Sequence, residues 1–300
     1  MVSRTVPLAV RVEPALGGRW ASLRGGGREW LWHRDEPHRA QVVPGDGFVD
    51  AGGLEECVPT VRGRPDHGDA WSRPWTAADD SGLVYAVRCP DFELTRGIDT
   101  SSGSVVADYR LVAEPGFRFV WAAHALLDIN VNVDINADAD THARLRITGN
   151  PTTRLFPEAA QHLDRPWPTA ARWIEGAWPT PAGLRMDTLG PDDGSAVGAV
   201  INAPSVVVED GPDRLHLAVT ADGQPTSIAV WRNLGGFPAE APYRSIGVEP
   251  MLGRVFDLDD AADEDCAVVP AAGEVRWQLT ITAHRLQEGT EPHGSFNHTA

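Results

Sequence analysis

Apolar and polar positions alternate with a period of two along nearly the whole chain, and clusters of turn residues interrupt the alternation at short intervals. Residues 20–33, WASLRGGGREWLWH, are two short apolar runs around a triple glycine and predict a hairpin. Residues 104–129, SVVADYRLVAEPGFRFVWAAHALLDI, predict two longer strands joined at Glu114-Pro115-Gly116. Residues 205–220, SVVVEDGPDRLHLAVT, repeat the device around Asp210-Gly211-Pro212-Asp213, and SIAVWRNL, YRSIGVEP and EVRWQLTITAHRL continue it. Helical stripes of any length are missing, and 24 prolines with 30 glycines suit turns better than helices. The pattern predicts an all-β protein, a large antiparallel β-sandwich rather than a βαβ fold.

No shift in composition divides the chain, so a single domain over 1–286 is expected, with residues 287–300, QEGTEPHGSFNHTA, as a disordered tail. The irregular, Pro- and Trp-rich stretch 157–194 reads as loops over a binding face. Residues 128–140, DINVNVDINADAD, carry Asp or Asn at every even position. A calcium loop starting at Asp128 would need Gly at its sixth place and Glu at its twelfth, where Val133 and Ala139 stand. The alternation predicts the polar face of a strand instead.

Charge narrows the partners. With 26 Lys and Arg against 42 Asp and Glu, the formal net charge of −16 repels phosphate backbones and anionic membranes. No nucleic acid and no membrane partner is expected, and no apolar run reaches the roughly 18 residues of a spanning helix. Cys57, Cys89 and Cys266 form neither a disulfide framework nor a C-x-x-C pair. Together with an N-terminus too weakly apolar for a signal peptide, they predict a cytoplasmic protein, a monomer or a homodimer. The G-x-S-x-G, H-E-x-x-H and P-loop patterns are missing too, which leaves acid–base chemistry by histidine and carboxylate.

Three islands carry that chemistry. GGLEECVPTVRGRPDHGDAWSRPW, residues 52–75, holds His67 beside two tryptophans. FRFVWAAHALLD sets His124 in an apolar strand. In SIAVWRNLGGFPAEAPYRSIGVEPMLGR, Glu249 shares a strand face with Gly247, which suggests room for a ligand above it. In this order and spacing the islands resemble the aldose 1-epimerase (galactose mutarotase-like) family, over most of the chain. The resemblance implies that family's large β-sandwich, or supersandwich, and interconversion of the α and β anomers of a free aldohexose without a cofactor or metal. It implies Glu249 as the base at the anomeric hydroxyl, His124 as the acid at the ring oxygen and His67 beside it.

For sugar binding, Trp71, Trp75 and Trp231 are candidate platforms, and Glu56, Arg73 and Asn233 candidate hydroxyl partners. Asp187 is the candidate for the family's hydroxyl-holding aspartate. Arg62, Arg64 and Arg73 leave a hexose phosphate open as substrate. A carbohydrate-binding or regulatory protein without turnover, and a polysaccharide lyase or glycoside hydrolase on a similar sandwich, are the other readings.

Overall fold

In the computed structural model, which describes residues 2–80, 82–129 and 142–287, two ten-stranded antiparallel sheets pack their inner faces into one apolar core. One sheet centres on Asp213–Thr220, Glu274–Gln287 and Val105–Ala113. The other runs through Ser195–Ile201, Thr226–Phe237, Tyr243–Leu252, Trp121–Leu127 and Leu54–Cys57. The all-β expectation is met. The DINVNVDINADAD stretch and the tail lie largely outside the described residues. Among those residues no helix is long and apolar enough to cross a membrane.

Of the three predicted strand pairs, residues 20–33 form the expected hairpin, with Arg24 opposite Glu29, and the other two turn out differently from each other. Residues 205–220 are a hairpin, closed by Asp210 opposite Asp213. The Pro115-Gly116 turn is a crossover instead: Val105–Ala113 pairs with Phe92–Asp99 and Glu274–Gln287, whereas Trp121–Leu127 pairs with Leu54–Cys57 and Tyr243–Leu252 in the opposite sheet. The reason lies in the second strand, buried at every position. A strand covered on both faces belongs at the centre of a sheet with something packed over each side. Trp121, Ala123, Ala125 and Leu127 meet the other sheet. Ala122 faces outward into a smaller apolar cluster with Cys57, Val200, Ala229 and Met251, roofed by Phe156 and Phe256. The stretch 157–194 is less irregular than expected, since Ile174–Ala177 and Thr188–Leu189 add edge strands to the two sheets.

Two adjacent glutamates in LEEC take opposite sides because strand side chains alternate. Glu56 points into the core, where its carboxylate accepts from Arg96 Nη1 at 2.6 Å, Tyr109 Oη at 2.9 Å and Trp121 Nε1 at 2.8 Å. Neither Glu56 nor Arg96 has any exposed surface. Arg96 comes from the facing sheet and also donates to the Gly18 carbonyl, so the pair ties the two layers together. Glu56 is therefore not the sugar-hydroxyl partner expected from the sequence: its acceptors are consumed inside the sandwich. Removing one partner of a buried ion pair strands the other charge and costs about 3–5 kcal/mol. Urea unfolding of Glu56→Gln should show a loss of that size; a variant of wild-type stability with weakened sugar binding would restore the hydroxyl role.

Candidate active site

The register that pairs Trp121 with Leu252 and Leu126 with Gly247 sets His124 opposite Glu249. On its other side His124 pairs with Glu55, and Glu249 pairs with Ala229. Directly opposed residues on one face bring their side chains into contact, and His124 Nδ1 lies 2.9 Å from Glu249 Oε1. The side chains are 10 % and 2 % exposed. Nδ1 and the second carboxylate oxygen, Oε2, are buried and make no regular hydrogen bond among the described residues. Buried polar groups left this way are uncommon, and a site open to a polar ligand is one explanation for them. The next carboxylate in the row, Glu55, is neutralised by Arg39, whose Nε and Nη2 donate to it at 2.9 and 3.0 Å.

Gly247 explains how the carboxylate fits. A Cβ there would stand 2.5 Å from Glu249 Oε1 and 3.0 Å from Trp231 Cβ. The room foreseen above Gly247 is thus filled by Glu249 itself, which leans back along its own strand.

His67 reaches the same place from a loop. Its φ of 57° is left-handed, a conformation that non-glycine residues hold only when their surroundings enforce it. Enforcement comes from the His67 amide on the Val61 carbonyl at 3.1 Å and from the Asp69 amide on the Val58 carbonyl at 2.7 Å. Gly68 completes the turn: a Cβ would sit 2.1 Å from the Val58 carbonyl oxygen, so only glycine passes. The imidazole stacks on Phe48 with centroids 3.6 Å apart and meets the His124 ring edge-on at 5.1 Å. Its Nδ1 is 2.9 Å from Asp66 Oδ1, and Asp66 Oδ2 accepts from the Phe48 amide at 3.1 Å.

His67, His124 and Glu249 open into one cavity of about 730 Å³. Trp231, Phe237 and Phe256 supply apolar walls, and Arg34, Asp50, Arg62, Glu158 and Tyr243 polar ones.

Searches of the sequence find no matching family model and no matching curated protein. Solved structures do match. The Slr1438 protein of Synechocystis superposes with a TM-score of 0.65 at 13% identity, over 95% of this chain and 96% of that one. A galactose mutarotase related enzyme from Lactobacillus acidophilus gives 0.61 at 13% identity, over 97% and 100% of the two chains. A galactose mutarotase-like protein from Lactobacillus casei gives 0.59 at 14%, over 94% and 100%.

The chain has the galactose mutarotase-like fold.

On this fold, four of the nine site residues expected from the sequence meet at the cavity: His67, His124, Glu249 and Trp231. The others stand elsewhere. Trp71 is fully buried and braces the loop from beneath, its Nε1 donating to the Asp66 carbonyl at 3.0 Å. Trp75, also considered as a platform, is in the core with Arg96 over its ring. Arg73 pairs with Asp69 at 3.3 Å. Asp187 sits beside the edge strand of the opposite sheet, paired with Arg185 at 3.0 Å. Asn233 is buried and spends its amide on the backbone of the 236–243 turn.

Sequence reasoning missed Asp50 and Tyr243, whose hydroxyl donates to Asp50 Oδ2 at 2.6 Å across 193 residues of chain. Nothing local marks such a pair. Asp66 was legible, as the carboxylate next to His67.

The two histidines titrate in opposite directions. Burial pulls both down. For His124, the charge and contact of Glu249, with Asp50 and Glu55 behind it, overcome burial and raise its pKa. For His67, burial and the nearby His124 outweigh Asp66, and its pKa falls. The raised His124 favours the folded state fully below the ordinary histidine value of about 6.5, and that contribution fades as pH rises through its folded pKa. The depressed His67 instead costs stability as pH falls through that ordinary value. NMR titration of the two imidazole Cε1–H signals should give a His124 midpoint above, and a His67 midpoint below, that of an exposed histidine; equal midpoints would remove the assigned asymmetry.

Proposed function

We propose that the protein is a cofactor-free aldose 1-epimerase, in which Glu249 takes the proton of the anomeric hydroxyl and His124 delivers one to the ring oxygen. The observation that carries this reading is the opposed His124–Glu249 pair at 2.9 Å in a cavity, an acid and a base on adjacent strands. Ring opening needs one proton removed and another supplied at two oxygens bound to the same carbon. Glu249 Oε2 has no hydrogen bond among the described residues, which leaves it available to one of those oxygens, and the His124 ring lines the same cavity beside it.

As the O1–H proton moves to Glu249, the C1–O1 bond gains its second order and C1–O5 breaks. O5 then takes the proton of His124. The aldehyde turns about C1–C2, and O5 attacks the other face while both protons return. The Glu249 carboxylate raises the His124 pKa and so favours the protonated, acid form of the ring. His67, held by Asp66 with a depressed pKa, offers a neutral ring to a sugar hydroxyl.

The cavity's charges favour an unphosphorylated sugar. Glu36, Asp50, Asp66, Glu158 and Glu249 line it against only two arginines, Arg34 and Arg62. Arg62 is already engaged by Glu158 at 2.8 Å, Arg73 is held by Asp69, and Arg64 is outside the lining.

Polarimetry of fresh α-glucose and α-galactose should show accelerated mutarotation, reduced about 10²–10⁴-fold in Glu249→Gln. Wild-type protein that binds sugar without accelerating either anomerisation would make it a binding protein. Gly247→Ala should lower kcat, because the new methyl group displaces the Glu249 carboxylate, and should also cost about 1–3 kcal/mol of stability, since the position is buried and the methyl group would stand 2.5 Å from Glu249 Oε1 and 3.0 Å from Trp231 Cβ; unchanged kcat in a folded variant would count against Glu249 as the base.

A further inference from the structure

The cavity is larger than one pyranose ring needs: about 730 Å³ is within the range of pockets that enclose ligands of drug size. Its aromatic rings are mostly committed. Phe48 lies flat on His67, and Phe256 carries the Arg62 guanidinium at 4.2 Å. Tyr243 stacks on Trp32 at 5.6 Å and has the Arg34 guanidinium over its ring at 4.6 Å. Phe237 differs. It meets Trp231 edge-on at 5.7 Å and keeps 52% of its surface exposed while lining the cavity.

Phe237 is also held firmly. The buried Asn233 Oδ1 accepts from the Gly236 and Phe237 amides at 2.9 and 3.1 Å, and its Nδ2 donates to the Phe237 and Tyr243 carbonyls at 3.0 and 2.8 Å. A fully buried amide side chain spent on one turn preorganises the ring that the turn presents. Trp231 pairs with Gly247, two residues or about 7 Å along the strand from Glu249. Phe237 is a further ring contact beyond Trp231, so the order outward is ion pair, Trp231, Phe237.

We propose that Phe237 is the platform of a second sugar subsite, and that the preferred substrate is the reducing end of a disaccharide or longer oligosaccharide. The inference rests on the epimerase reading for the inner subsite. The reducing residue lies with C1 and O5 at Glu249 and His124. Its glycosidically linked neighbour stacks a C–H face on Phe237, and only the C1–O5 bond opens and recloses, so the glycosidic linkage is untouched. Phe237, exposed and apolar, is explained by this use; a monosaccharide at the ion pair leaves it bare.

The test compares α-lactose and maltose with α-galactose and α-glucose. In wild type, kcat/KM for the disaccharides should exceed that for the monosaccharides; equal or lower values overturn the subsite. Phe237→Ala should lower the disaccharide-to-monosaccharide ratio about three- to tenfold, the size of an aromatic stacking contribution, and Phe237→Trp should restore it. An unchanged ratio in Phe237→Ala also overturns it. Calorimetric binding of maltose and glucose to the same three proteins separates the two claims. If no sugar is turned over, the epimerase reading fails, yet tighter maltose binding that Phe237→Ala weakens still supports the subsite. Maltose binding no tighter than glucose, or no binding at all, removes it.

Discussion

The buried Glu56–Arg96 pair is the constraint on which the arrangement of the site depends. A one-residue slip of a strand sends every side chain to the opposite face. For Leu54–Cys57, the slip that moves Glu56 outward into the position of Glu55 would bring Cys57 opposite Arg96 and leave that guanidinium charged and alone between the sheets. With the register pinned in this way, Glu55 stands next to His124 and is met by Arg39. The core thereby sets the electrostatics of the opposite face through a strand of four residues.

The site itself is a matter of charge balance. Carboxylates at 55, 249, 50 and 66 surround two imidazoles, yet each has a distinct partner: Arg39 for Glu55, Tyr243 for Asp50, His67 for Asp66 and His124 for Glu249. The pairings shift the two histidines in opposite directions although their rings are 5.1 Å apart. One fold face thus holds two imidazoles whose affinities for a proton are driven apart by their neighbours, which the same residue type could not provide in a uniform environment.

Much of this was legible along the chain. Period two gave the sheets, and residues 247 and 249 do share a face, although the room expected there for a ligand is taken by the Glu249 carboxylate. His67 was marked by its Asp66-His-Gly setting. What escaped were partners set by contact between distant strands. Glu56 and Glu55 are chemically identical in sequence, and only Arg96, from the facing sheet, decides which is core. The Pro115-Gly116 turn looks like that of a hairpin, because local signals fix the bend but not which sheet receives the next strand. Asn233 reads as a hydroxyl partner for a sugar until the turn back to Tyr243 shows its amide spent on that turn's backbone and on Ser245 Oγ.

His124 and Glu249 are adjacent in space through strand pairing alone, while the chain between them carries more than a hundred residues, including edge strands and loops. Their contact depends on the register of the two strands, and the connection supplies cavity walls of its own, Trp231, Phe237 and Tyr243 among them. What the site needs from it is strand pairing and these few contacts rather than its sequence at large. A fold can then remain superposable with proteins only 13% identical to it, after sequence comparison has lost the thread.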